Sequence, residues 1–222
     1  NEVIRYLGYR GSVPDDSVRA EIGECIGDLQ KEVTPRFVYE RFPFIVKTEP
    51  DSTPLLCLGD LEIRSRDLAK NLEGCCGVYI MAVTLGPGPD RLIRRASVGQ
   101  MSRAVVLQAA AAAMTETWCD QINERIRQEA ERDGLCTRPR YSPGYGDLPL
   151  ELQKDISRTM PMLSTPSAAI SLMYCLKNIL HLSGNDITLP IRHRYSPNFV
   201  MLFLRNMLRC LFCACKGTQF NG

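Results

Sequence analysis

Val18, Ile22, Cys25, Ile26, Leu29 and Val33 recur at helical spacing directly after the helix-starting run Pro14-Asp15-Asp16-Ser17, which predicts a helix over 15–32. Asn1 to Gly11, ahead of it, is a short mixed segment closing in a glycine turn. The period then changes to two: Phe37 and Tyr39, then Phe42, Phe44 and Val46, read as a strand interrupted near Pro43. Leu55–Leu58 and Leu61–Ile63 flank Gly59-Asp60 as an antiparallel hairpin. Ser65 can cap a helix over Arg66–Glu73 that Gly74 stops. Cys75 to Leu85 is almost continuously apolar, as a central strand buried on both faces must be. After the break at Gly86-Pro87-Gly88-Pro89 the pattern predicts a helix over Asp90–Arg95 and a long one from about Gln100 to Arg132, closed by Gly134. Five alanines, Ala109–Ala113, sit in its middle, and at 1.5 Å per residue it would reach about 50 Å. Pro149 suits a first helical position, with Leu150–Arg158 following and Thr165-Pro166 ending the segment. Beyond it lie Ser171–Leu182, apolar on both sides, a turn at Gly184-Asn185, a strand over Ile187–Ile191, and the apolar stretch Phe199–Cys215 broken by Arg205 and Arg209.

Composition changes this picture at one place. Residues 1–172 hold 21 Lys and Arg against 24 Asp and Glu, whereas 173–222 hold 6 against 1, together with four of the ten cysteines and both histidines, His181 and His193. The chain therefore divides into a region 1–172 and a divergent, basic, Cys-rich tail 173–222. A net charge of +2 gives no reason to expect a nucleic-acid partner, and no run of about 18 apolar residues suggests a membrane span. Cys25, Cys57, Cys75, Cys76 and Cys119 stand in apolar company with no signal peptide ahead of them, so reduced thiols and a cytoplasmic location are expected.

Three local patterns invite chemistry and are set aside. Gly86-Pro87-Gly88 follows a strand and precedes a helix, but it lacks the third glycine of a dinucleotide fingerprint and reads as a strand-to-helix turn. Glu116, Asp120 and Glu124 lie four apart with no histidine nearby and with Arg125 and Arg127 beside them, so a solvated charged face is expected rather than a metal site. Cys210-x-x-Cys213-x-Cys215 has half of a zinc spacing and no second pair. No metal is expected.

The stretch best suited to a ligand is 138–149, Arg-Pro-Arg-Tyr-Ser-Pro-Gly-Tyr-Gly-Asp-Leu-Pro. Its prolines and glycines shape the backbone. Its arginines offer planar forks to a carboxylate or phosphate, and its tyrosines offer ring faces. The order Arg140-x-x-x-Gly144-Tyr145, with Pro143 before the glycine and Pro149 and Lys154 after it, resembles the S-adenosylmethionine loop of the activation domain of vitamin B12-dependent methionine synthase. Further pieces resemble the small, stand-alone form of that family in the same order: Glu2–Tyr9, Asp67–Leu72 with Gly74-Cys75, Ala82–Gly86 and Met101–Val105. The resemblance covers about residues 2–172 and stops near Met173.

It implies an α+β fold, an antiparallel sheet flanked by helices including the long Ala-rich one. It also implies an S-adenosylmethionine-binding module that supports reductive methylation of cob(II)alamin, with cobalamin held by a partner domain or protein. The implied partners are a cobalamin-binding methionine synthase or another corrinoid protein, and flavodoxin or another reductase as electron donor. The ligand residues implied are Arg140 for the carboxylate, Ser142, Gly144 for close main-chain approach, and Tyr145 for a ring or hydroxyl contact. No catalytic residue is implied, and the chain is not expected to turn over a substrate alone. A docking module for a corrinoid protein that binds no S-adenosylmethionine is the alternative. An independent methyltransferase is disfavoured, since the usual glycine-rich loop and following acidic strand end are absent.

Overall fold

A computed structural model describes residues 2–9, 12–48, 50, 52–159 and 172–181. Its elements run α1 (Glu2–Tyr6), α2 (Asp16–Glu32), β1 (Arg36–Phe42), β2 (Ile45–Lys47), β3 (Leu55–Leu58), β4 (Leu61–Arg64), α3 (Arg66–Asn71), β5 (Gly77–Thr84), α4 (Gly88–Ala96), α5 (Met101–Arg132), β6 (Leu135–Thr137), α6 (Leu152–Thr159) and β7 (Leu172–His181). The predicted strand over 36–46 does break at Pro43, and its two halves serve different sheets. β1 joins a four-stranded antiparallel sheet ordered β1-β5-β7-β6, and β2 joins a three-stranded one ordered β2-β3-β4. The hairpin closes through Gly59, whose φ of 59° lies in the left-handed region that glycine enters without strain.

β5 is the hub. All eight of its residues are buried, and it pairs with β1 on one side and β7 on the other. Its side chains alternate between two cores. Tyr79, Met81 and Val83 pack with Cys119, Ile122, Ile126 and Ala130 of α5, while Val78, Ile80 and Ala82 pack with Leu56, Leu58, Leu61 and Ile63 of the small sheet and with Leu68, Tyr141, Leu148 and Ile156. A third core lies between helices, where Ala104 and Ala109–Ala111 of α5 meet Val3 of α1, Ile22, Cys25 and Leu29 of α2, and Ile93 of α4. The alanine run serves this last core, because short side chains let three helices approach one axis. α5 runs unbroken over 32 residues, so one rigid element links the helical core to the sheet.

The sequence boundary at 172/173 does not coincide with an edge of the fold. β7 takes up residues 173–181 as an interior strand, with Met81 opposite Cys175 and Thr137 opposite Ile179, so the sheet draws its interior partner from beyond the change in charge. Paired backbone, rather than side-chain composition, sets that limit. The strand over Ile187–Ile191, the apolar stretch Phe199–Cys215, the cysteines at 210, 213 and 215, and His193 lie outside the described residues. Other departures are smaller. α4 begins two residues early at Gly88, and α6 begins at Leu152 because Pro149, Leu150 and Glu151 form a tighter entry turn whose carbonyls accept from residues three further on. β6 had no periodic signal, being three residues long. No helix among the described residues is long and apolar enough to cross a membrane.

Candidate functional site

Residues 138–149 form a closed loop whose shape is set by its own hydrogen bonds. The Gly144 N–H donates to the Leu148 carbonyl (2.8 Å), the Tyr145 N–H to the Ser142 carbonyl (3.1 Å) and the Leu148 N–H to the Tyr145 carbonyl (3.0 Å). Gly144 and Gly146 take φ values of 91° and 55°, conformations that side chains resist. Gly146 has a second reason: a Cβ there would stand 2.5 Å from the Tyr141 hydroxyl and 3.2 Å from Cγ of Asp67. Tyr141 and Leu148 are buried and pin the loop to the core beneath β5. Tyr145 lies edge-on to Tyr141, with ring centroids 5.2 Å apart, and remains 41% exposed.

The loop also grips both ends of α3. At the C-terminal end Arg138 Nη1 donates to the carbonyl of Asn71 (2.7 Å). At the N-terminal end the Asp147 carboxylate accepts from the Ser65 hydroxyl and from the backbone N–H groups of Arg66 (2.7 Å) and Asp67 (3.3 Å), while Asp67 accepts the N–H of Asp147 in return (3.2 Å). Cation at the C-terminus and anion at the N-terminus is the favourable sense for the helix dipole. Burial opposes the charge on Asp147, but the Ser65, Arg66 and Asp67 donors together outweigh it and hold its carboxyl below the usual range. A depressed folded-state value means that this contribution is complete above the ordinary aspartate range, about pH 4, and is lost as pH falls through the lowered value. Asp147→Ala is expected to cost about 1 kcal/mol at pH 7, as for a lost helix cap, and the gap from parent in urea unfolding should close toward pH 3. An unchanging gap would remove Asp147 from this role.

Arg140 runs the opposite way from Tyr141 and reaches α5. Its Nη2 bonds Glu116 Oε2 (2.7 Å) and its Nη1 bonds Asp120 Oδ1 (2.5 Å), and its side chain is only 6% exposed. The expectation of a solvated acidic face on the long helix is corrected here. Glu116, at 14% side-chain exposure, is enclosed with Arg140, whereas Asp120 is half exposed and Glu124 pairs with Arg127 on the outer surface. Burial raises the Glu116 carboxyl, the guanidinium of Arg140 lowers it, and Asp120 raises it again, leaving it above the usual glutamate range. The charge of Arg5 on α1 lowers the Glu116 carboxyl a little further.

The four predicted ligand residues thus fall into two groups. Ser142, Gly144 and Tyr145 share the loop turn, where Ser142 is nearly buried and Tyr145 faces outward. Arg140 lies at the seam with α5, already held by two carboxylates. Sequence reading gave no role to Asp147 and Asp67, whose Asp-Leu-Pro and Arg-Asp settings look like ordinary turn and helix-start residues, and it took Glu116 for part of a solvated face because spacing alone cannot say which side of a helix a loop will cross. The Gly86-Pro87-Gly88 turn is filled from within: a Cβ on Gly88 would overlap the Glu32 carbonyl, and one on Gly86 the Thr34 side chain, so the end of α2 takes the space a phosphate would need. An open polar groove of about 610 Å³ lies apart from the loop, lined by Glu21, Glu24, Gly99, Gln100, Ser102 and Arg103. Among the described residues no three His, Cys, Asp or Glu side chains gather as a metal site.

No protein-family model matches the chain, and no curated protein matches it. Among solved structures, it is similar to a crystal structure of the MetH reactivation domain bound to AdoHcy, with a TM-score of 0.47 and 17% identity over 92% of this chain and 79% of that one.

Proposed function

We propose that this chain is an S-adenosylmethionine-binding reactivation module for a cobalamin-dependent methionine synthase, acting beside a corrinoid protein and an electron donor such as flavodoxin or another reductase. The observation that carries the reading is the grip of the 138–149 loop on α3. Asp67–Leu72 and the loop that carries Arg140–Tyr145, two pieces about 70 residues apart that resemble the activation domain, are tied into one preorganised unit where Arg138 and Asp147, on either side of Arg140–Tyr145, bond Asn71, Arg66 and Asp67. The loop offers a close main-chain approach at Gly144 and an exposed ring at Tyr145, which suits an adenosyl group. The charge pattern at Arg140 suits an amino-acid end: Asp120, half exposed, is the carboxylate that a ligand carboxylate can replace on the guanidinium, while the enclosed Glu116 can receive an ammonium. When bound, the sulfonium supplies an electrophilic methyl group to the corrinoid of the partner, and this chain's part is to hold and orient.

Isothermal titration of the full chain with S-adenosylmethionine is expected to show saturable one-to-one binding. Tyr145→Ala should weaken it by about 1–2 kcal/mol, the scale of a lost aromatic contact, with a fold stability lowered by no more than about 1 kcal/mol through the lost edge contact with Tyr141. A Tyr145→Ala protein that binds as well as the parent would remove the ring from the site. Saturable binding of the nucleoside is also what separates this reading from the plain docking module.

A further inference from the structure

β1 pairs with β5 on one side, and among the described residues no strand lies on its other side, so one flank of the backbone over Arg36–Phe42 is open to a further strand. Its register against β5 runs one residue to one, with no bulge and no internal proline or glycine to spoil pairing. Pro35 and Pro43, which cannot donate to a ladder, bracket the stretch. The edge is also held in shape by α5: Trp118 Nε1 donates to the Arg36 carbonyl (3.1 Å), and its ring stands edge-on to Phe37 at 5.8 Å between centroids. Phe37 in turn stacks on Tyr39, with centroids 6.1 Å apart. Just beyond Pro43, β2 is the outer strand of the small sheet, and its Ile45 and Val46 are 63% and 39% exposed, so uncovered apolar surface continues past the end of the edge.

Charged side chains on an outer strand usually guard it against pairing. Here their order does the opposite. Arg36 and Glu40 share the face of β1 that carries Val38, both are exposed, and among the described residues neither side chain belongs to an ion pair. A second copy of the strand, turned about a two-fold axis through Val38, sets Arg36 opposite Glu40 and Glu40 opposite Arg36, with Val38 facing itself. On the other face the same operation sets Phe37 opposite Tyr39 and Tyr39 opposite Phe37. An axis through Tyr39 would instead set Glu40 against Val38 and Arg36 against Phe42, leaving these charges without counterparts. We propose that β1 is a self-association edge: two copies of this chain pair antiparallel through it, in the register centred on Val38, and continue one sheet into the other. This surface lies apart from the 138–149 loop and does not depend on what the loop binds.

Sedimentation velocity of the full chain over a concentration series tests it, with circular dichroism of each variant as the check on folding. The parent is expected to pass from monomer to dimer as concentration rises. Glu40→Arg places the introduced arginine against Arg36 at two points, and Arg36→Glu places the introduced glutamate against Glu40 at two points, so each should weaken the dimer by at least about tenfold. The double variant Arg36→Glu with Glu40→Arg restores opposite charges and should return the dissociation constant to within about threefold of the parent. An equimolar mixture of the two single variants should likewise form a heterodimer, since every facing pair is then opposite in sign. A parent that stays monomeric, or a dimer equally strong in both single variants, overturns the proposal. Single variants that weaken the dimer with no recovery in the double variant or the mixture overturn the register centred on Val38.

Discussion

Arg140→Ala is expected to lower folding stability by about 3 kcal/mol at pH 7, before any ligand is considered, because removing one partner of an enclosed ion pair strands the other. The stranded group is Glu116, largely enclosed on α5 and already held above the usual glutamate range by loss of solvent. Without the guanidinium its carboxyl rises further. A raised folded-state value contributes stability that is complete below the unfolded value and lost as pH rises through the folded one. The deficit of the variant should therefore be largest near neutrality and shrink as pH falls toward the ordinary glutamate range near 4.5. Urea unfolding from pH 4 to 8 measures it, and a deficit independent of pH would mean that Glu116 is not the stranded group. For ligand binding the consequence is practical: a failure of Arg140→Ala to bind S-adenosylmethionine mixes a lost contact with a weakened fold, so Tyr145 is the cleaner probe.

The second large effect is expected far from the loop. Gly88→Ala should cost about 3 kcal/mol or prevent folding, because its Cβ would overlap the Glu32 carbonyl oxygen and stand 2.8 Å from the Glu32 carbonyl carbon, and backbone at a helix end cannot swing aside as a side-chain tip can. The contrast is within α2 itself. A methyl group added at Gly23 or Gly27 would meet nothing within 4 Å, so Gly23→Ala and Gly27→Ala should each raise stability by about 0.5–1 kcal/mol through helix propensity alone. Chemical denaturation of the three variants decides it: equal changes at all three positions would contradict the close packing of α2 on α4.

What could be read from the chain, and what could not, divides by the range of the interaction. α2, the β3–β4 hairpin, the Ser65 cap, β5 and α5 were legible because each is fixed by its own period or by a local signal such as Asp15 or Ser65. β6 was not, since Leu135–Thr137 is a strand only by virtue of β7 beside it. β7 was visible as an apolar run, but its charge and cysteine content separated it from the region whose sheet it completes. The loop was legible as a shaped, polar segment through its prolines and glycines. Its anchors were not: Asp147 reaches back about 80 residues to Ser65, Arg66 and Asp67, and Arg140 reaches back 24 to Glu116. A lone arginine in a loop looks the same in sequence whether it waits for a ligand or is already clasped by the fold.

The reactivation role itself is tested by methyl transfer. Labelled S-adenosylmethionine, a reductant, and methionine synthase loaded with cob(II)alamin but lacking its own activation domain are combined with and without this chain. The account predicts labelled methylcobalamin only when the chain is present, with the yield reduced by Tyr145→Ala. Labelled methylcobalamin formed equally well in its absence would contradict it.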